Sequence, residues 1–260
     1  APSSWRRGVQ VATGTWSGLS VTHVGALLSE FEFQRFCPRR ALTEFLQSFD
    51  LIQVVAGTPA MGKTVARMQV PTCLFVATTI RRERASLLAE TSGVRDLWLR
   101  VMTGINALSE RRALRLVDHV FALSEYTRSQ LSPMVPGGKL SLGWPGIDTD
   151  LYHPAAKSPD DGYILSVGRH SDPRKNVRLL LQAYGRLRQR LPNAPRLLLV
   201  GDRPCPADWA LAFQWGIADH IDVRVKATPE ALPSLYRQAS VFVLPSNEEG
   251  LGIVILEAMA

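Results

Sequence analysis

The 260-residue chain is 46% hydrophobic and 20% charged, the balance of an ordinary globular protein with room for one large domain or two medium ones. No apolar run reaches the ~18 residues that a membrane helix needs. Its net charge of +7 lies in the first half: residues 1–141 carry 17 Lys and Arg against 10 Asp and Glu, whereas residues 142–260 carry 13 of each.

That asymmetry suits an anionic partner: a membrane surface, a phosphorylated lipid or an acidic polymer. A merely solvated basic surface is the competing reading, and nucleic acid is disfavoured because no recognised binding motif accompanies the charge. The opening APSSWRRGVQ lacks the apolar segment of a signal peptide. Cys37, Cys73 and Cys205 are far apart, in no metal-like spacing, and read as reduced thiols of a cytoplasmic protein.

Along the chain, strand-like runs alternate with helical patterns. GVQVAT (8–13) comes first, then a helix over 39–49, LIQVVA (51–56), TCLFVAT (72–78), a long helix over 93–117, HVFALS (119–124) and a helix over 125–131. Residues 132–162 are rich in Pro, Gly and Asp, with only a short apolar piece at Leu140–Leu142. They read as an inter-domain connector and coincide with the step in charge, which divides the chain into 1–142 and 143–260. YILSVG (163–168), RLLLVG (196–201), IDVRVK (221–226) and VFVLP (241–245) follow, separated by helical patterns at 175–191, 206–216 and 229–239. Continuous apolar runs of this length suit strands buried on both faces, so the expected class is α/β, with doubly wound parallel sheets. The last helix has no stop signal. Both ends read as cut, with the natural protein expected to begin before Ala1 and to continue past Ala260.

Residues 57–64, GTPAMGKT, fit G-x-x-x-x-G-K-[ST], the phosphate-cradling loop of P-loop NTPases, with Gly57, Lys63 and Thr64 in the motif positions. The surroundings weaken the match. The helix expected after Thr64 has only the six residues VARMQV before Pro71 stops it, and no clean apolar run ends in Asp, because Arg115 interrupts LRLVD.

Two clusters in the second half carry chemistry. In VFVLPSNEEGLGIVILEAMA (241–260) a strand runs into a polar loop, then Gly250-Leu251-Gly252, then a helix from about Ile253. Ligands of open α/β sheets sit beyond the carboxyl ends of the strands, and a glycine-containing loop opening a helix offers N–H groups and a positive dipole to phosphate. Glu249 and Glu257 flank that point and suit sugar hydroxyls better than phosphate. In YILSVGRHSDPRKNVRLLLQAY (163–184), Arg169 and Lys175 stand between a strand end and a helix, where two cations can neutralise a diphosphate.

Together these clusters resemble the C-terminal domain of family-4 retaining glycosyltransferases of the glycosyl transferase group 1 type. VGRHSDPRKN matches the family's VGR…KG loop, and PSNEEGLGIVILEAMA its E-x7-E element. GWPGIDTDLYHP (143–154) is similar to the family connector, and DHVFALSEYTRSQL (118–131) to the end of the N-terminal domain. The resemblance implies a GT-B fold, two Rossmann-like doubly wound domains facing across a cleft, both incomplete here. It implies transfer of a sugar from a nucleoside-diphosphate sugar to an acceptor hydroxyl with retention of configuration and without a required metal or other cofactor. Arg169 and Lys175 would hold the diphosphate. Leu251, Gly252 and Ile253 would add backbone N–H groups, Glu257 would accept from the ribose, and Glu249 would contact the transferred sugar, so that Arg169, Lys175 and Glu249 are the catalytic candidates.

The sequence departs from the family in places. Asn176 replaces the usual glycine, a mild change because Asn tolerates a left-handed turn. One extra residue after Arg169 leaves Arg174 as a rival for the role of Lys175. Glu248 falls out of the spacing and reads as a solvated carboxylate. Thr78 and Thr79 stand where many relatives carry a His, and His23, His119, His153, His170 and His220 read as structural or surface residues. Arg81, Arg82, Arg84, Arg95, Arg100, Arg111, Arg112 and Arg115 lie among apolar residues on the acceptor side. They suggest peripheral contact with an anionic membrane or lipid-linked acceptor, against an ordinary helical pair packed on the sheet. A P-loop NTPase and a non-catalytic binding protein remain the alternatives.

Overall fold

The computed structural model describes residues 8–16, 18–155 and 161–260. Residues 1–7 of the opening stretch and 156–160 of the expected connector lie outside the described residues. The chain forms two compact units, which divide between Trp144 and Pro145.

The first unit opens on an antiparallel hairpin, β1 (Val11–Trp16) and β2 (Leu19–Val24), with Val11 opposite Val24 and Trp16 opposite Leu19. The buried strand expected at 8–13 is therefore part of an exposed two-stranded ribbon. The cause is visible in the residues: Thr13, Thr15, Ser20 and Thr22 alternate with apolar positions, and Gly18 turns the chain at φ +79°. After a 3-10 turn at Glu32–Phe36 and α1 (Arg40–Leu46) come β3 (Ile52–Val55), a 3-10 helix at Pro59–Thr64, β4 (Thr72–Val76), α2 (Ile80–Glu83), α3 (Ala85–Glu90) and the long α4 (Gly93–Leu116). β5 (His119–Ala122), α5 (Glu125–Leu131) and β6 (Leu140–Leu142) complete the unit. The sheet is parallel in the order β3-β4-β5-β6, and Leu74, Val76, Val120 and Ala122 of its central strands pack with Leu114, Val117 and Leu131 into a buried core.

Leu140–Leu142 is thus no connector but the edge strand of this sheet, with Val120 opposite Leu140 and Ala122 opposite Leu142. Three residues are too few for a periodic signal, and the pairing comes entirely from β5. Residues 59–64 are likewise structural. The 3-10 helix begins before the lysine, not after it. A Cβ on Gly62 would lie 3.3 Å from side-chain atoms of both Leu74 and Val117, so this glycine serves close packing. The Thr64 hydroxyl donates to the Met61 carbonyl at 2.7 Å, and Asp118 accepts from the Thr72 amide and hydroxyl, joining the starts of β4 and β5. Pro59, Ala60, Gly62 and Thr64 of this stretch are buried inside the unit.

The second unit contains β7 (Tyr163–Gly168), a 3-10 turn at Pro173–Lys175, α6 (Val177–Arg190), β8 (Leu197–Gly201), α7 (Pro206–Gln214), β9 (Ile221–Arg224), α8 (Leu232–Arg237), β10 (Ala239–Phe242) and α9 (Ile253–Met259). Its sheet is parallel in the order β10-β7-β8-β9. Successive residues of β8 go to opposite faces. Leu197 and Leu199 pack with Leu181, Tyr184 and Ile217, whereas Leu198 and Val200 pack with Leu165, Val167 and Leu235. Both faces are covered, which is why these strands read as unbroken apolar runs. The last strand lies two to three residues earlier than the expected 241–245, although the Val243 amide still donates to the Leu165 carbonyl.

Candidate functional site

The sheet order places β10 beside β7. The loop leaving β7 and the loop leaving β10 therefore emerge side by side at the carboxyl end of the sheet, although they are about 75 residues apart in sequence. Three contacts join them. The Asn247 amide donates to the Arg174 carbonyl at 2.9 Å, the Asn176 side-chain amide donates to Asn247 Oδ1 at 2.9 Å, and Lys175 Nζ forms an ion pair with Glu249 Oε1.

The β7–α6 loop has a defined local cause. Asp172 caps the 3-10 turn by accepting from the Arg174 amide at 3.0 Å, with Pro173 in the first turn position. Asn176 adopts φ +47°, ψ +45°, the left-handed conformation in which Asn is tolerated best after Gly, and α6 starts immediately afterwards. The same Asp172 separates the surroundings of Arg174 and Lys175. The Arg174 guanidinium lies on its carboxylate at 2.7 Å and 3.1 Å, whereas Lys175 points the other way, to Glu249. Burial pushes the Asp172 carboxyl up, but hydrogen bonds and charge from Arg174, with a contribution from Arg169, hold it below its ordinary value. Arg169 itself is 66% exposed and touches Asp172 only at 3.3 Å, so its guanidinium remains available at the strand end.

His170 is buried, which fits a structural residue and not a surface one. Its Nδ1 donates to the Asp202 carbonyl at 3.2 Å, and its Nε2 accepts from the Ser166 hydroxyl at 3.3 Å. Burial lowers its pKa and keeps the ring neutral. The histidine thus supports the loop from below. Gly201 does so from the neighbouring strand: at φ +125° its Cβ position lies 2.0 Å from the Gly168 carbonyl oxygen, so only glycine lets the ends of β7 and β8 approach this closely.

In the second loop, Leu251, Gly252 and Ile253 form the turn into α9, with Gly252 at φ +72° and ψ +61°. Glu248, expected to be solvated, is partly buried. Ser246 buries a hydroxyl oxygen that has no hydrogen-bond partner, an arrangement that folded proteins usually avoid. Glu257, one turn into α9, accepts from the Tyr236 hydroxyl at 2.7 Å, and the Tyr236 ring lies against Tyr152 and Phe242. Burial, reinforced by Glu257, pushes the Tyr236 hydroxyl far up, which keeps it a donor. The structure thus assembles Arg169, Lys175 and Glu249 with Asp172 and Asn247 around one loop pair, and holds Glu257 through α8.

In the first unit, Thr79 precedes α2, and the Ile80 amide donates to Glu110 at 2.9 Å. Glu110 is buried, and burial pushes its carboxyl up to about 7, against the opposing pull of the Ile80 amide and Arg81. Arg84 is largely buried and paired with Glu32, and Arg100, although 59% exposed, is paired with Asp96.

Residues 161–260 match the family model for glycosyl transferases group 1. The GDP-mannose-dependent alpha-(1-6)-phosphatidylinositol monomannoside mannosyltransferase of Mycolicibacterium smegmatis is 30% identical over 194 residues, which cover 67% of this chain and 50% of that protein. The O-antigen chain mannosyltransferase B of Escherichia coli is 42% identical over 105 residues, 38% of this chain and 26% of that one. The chain therefore spans half or less of these curated relatives. The sucrose-phosphate synthase of Thermosynechococcus elongatus superposes with a TM-score of 0.72 at 19% identity, covering 99% of this chain and 67% of that one, a likeness of GT-B fold. Residues 161–260 thus carry a glycosyl transferases group 1 domain.

Proposed function

We propose that the chain supplies the donor site of a retaining glycosyltransferase that moves a sugar from a nucleoside-diphosphate sugar to an acceptor hydroxyl. The observation that carries this reading is the Lys175–Glu249 pair, which joins the two strand-end loops beside the exposed Arg169. The diphosphate competes with Glu249 for Lys175. Once displaced, Glu249 accepts hydrogen bonds from hydroxyls of the sugar. The bond from the anomeric carbon to the phosphate oxygen breaks with its electron pair leaving on the diphosphate. Arg169 and Lys175 stabilise that growing charge without a metal, while the sugar passes through an oxocarbenium-like state. The acceptor oxygen bonds to the anomeric carbon from the same face, and its proton passes to the departing phosphate oxygen. Three unpaired cysteines fit a reducing, cytoplasmic setting.

The mycobacterial relative is named as GDP-mannose-dependent, which makes GDP-mannose the first donor to test. Isothermal titration with GDP-, UDP- and ADP-sugars should show one nucleotide bound, with Lys175→Ala weakening it at least about tenfold, a loss of ~1.4 kcal/mol. Arg174→Ala and Lys63→Ala should leave the affinity within about twofold. Loss of binding in Lys63→Ala but not in Lys175→Ala would return the nucleotide to residues 57–64. Binding of none of the three sugars would remove the transferase reading, and binding without turnover in the presence of acceptor hydroxyls would favour a binding protein.

A further inference from the structure

The long helix α4 has one face in the core of the first unit, where Met102, Asn106, Ala107, Glu110, Ala113 and Leu114 are buried. A helix in such a position ordinarily turns charged and polar residues to solvent. Here the outer face carries Val94, Leu97, Trp98, Val101 and Leu108, and all five are exposed, Val94 to 87% and Leu108 to 68%. Their spacing of three, four and seven residues places them in one stripe along the axis. The exposed, unpaired charges on this helix have one sign. Arg95, Arg111, Arg112 and Arg115 are open on the same helix, and Arg81 and Arg82 on α2. The two carboxylates of α4 are both accounted for: Asp96 is paired with Arg100, and Glu110 is buried.

An apolar stripe among arginines, with no unpaired carboxylate on the helix, matches a surface that is apolar below and anionic above. We propose that α4 docks the chain on an anionic lipid bilayer. Trp98, Leu97 and Val101 enter the headgroup boundary, and Arg111, Arg112 and Arg115 meet lipid phosphates. Among the described residues no helix is long and apolar enough to cross a membrane, so the contact is one of lying on the surface. The arginines supply selectivity for anionic lipid, and the stripe supplies the part of the affinity that salt does not screen. This inference is independent of the donor chemistry.

Co-sedimentation of the whole chain with phosphatidylcholine vesicles, with and without phosphatidylglycerol, tests it. The anionic vesicles should bind at least about tenfold more tightly, and the preference should fall with added salt. Leu97→Ser with Trp98→Ser should abolish pelleting on both vesicle types. Arg111→Glu with Arg112→Glu and Arg115→Glu should remove only the preference. All five side chains are exposed, so an unchanged melting midpoint serves as the folding control. Equal binding to the two vesicles, absence of binding to either, or pelleting unaltered by both variants overturns the proposal. So does a concentration-dependent dimer that Trp98→Ser dissolves, because a second copy of the chain would then cover the stripe.

Discussion

Replacing Gly201 by alanine tests how the β7–α6 loop is supported. The Cβ position there is 2.0 Å from the Gly168 carbonyl oxygen, so β7 and β8 would have to part by about 1.3 Å at their ends to restore an ordinary ~3.3 Å contact. The backbone adds its own strain, because φ is +125°, outside the range of alanine. Strain of ~1–3 kcal/mol and overpacking of a similar size give an expected loss of about 4 kcal/mol. Gly216 is the control. It also has positive φ, +65°, but a Cβ there meets nothing within 4 Å, so alanine should cost only about 1–2 kcal/mol. Guanidinium denaturation, read alongside hydrogen exchange of the β8 amides, separates the two. Gly201→Ala should also weaken nucleotide binding, since Gly168 precedes Arg169. If the two variants are equally stable to within about 0.5 kcal/mol, the close approach of β7 and β8 does not hold the loop as argued.

Tyr236→Phe removes the hydroxyl that holds Glu257, at a cost of about 1–2 kcal/mol in stability. It should also reduce discrimination between ribo- and 2′,3′-dideoxyribonucleotides. Unaltered discrimination in a titration of both nucleotides would mean that Glu257 is positioned by other groups or does not read the ribose. Glu110 should make the first unit pH-sensitive. Its folded pKa of about 7 lies above the ordinary 4.5, so its contribution to stability is complete below about pH 4.5 and is lost as the pH rises through about 7. At ~1.4 kcal/mol per pH unit the loss is about 3 kcal/mol, and Glu110→Gln should flatten it while still accepting from the Ile80 amide. An equal pH slope in the variant, measured by denaturation between pH 5 and 8 (about the titration window), would refute the assignment.

The alternation of strands and helices was legible because β7 and β8 are covered on both faces and read as apolar runs, while β4 and β5 bury one face and carry half-buried Cys73, Phe75 and Phe121 on the other. The loops at Arg169 and Glu249 were legible as candidates because glycines, cations and carboxylates cluster just after strand ends. Their meeting was not, since it depends on β10 lying beside β7. Nor could spacing decide between Arg174 and Lys175. Asp172 caps the turn and takes Arg174, leaving Lys175 to Glu249, an arrangement whose local signal is Asp-Pro at the turn start. Tyr236 left no trace, because an aromatic residue on a short helix ordinarily reads as core. The edge strand at Leu140–Leu142 was missed because pairing, not periodicity, defines it, whereas the hairpin at Val11–Trp16 and Leu19–Val24 had its signal in the alternation of Thr13, Thr15, Ser20 and Thr22 with apolar positions.

The neighbouring placement of β7 and β10 also orders events during folding. Lys175 is synthesised about 75 residues before Glu249, its ion-pair partner. Closing this loop carries an entropic cost that grows with the logarithm of its length, so the strand pair is among the late contacts of the unit. A nucleotide that binds only after β10 has docked draws the equilibrium toward the completed sheet, by an amount set by its concentration relative to its dissociation constant. The donor would then act as a ligand chaperone for the domain that uses it.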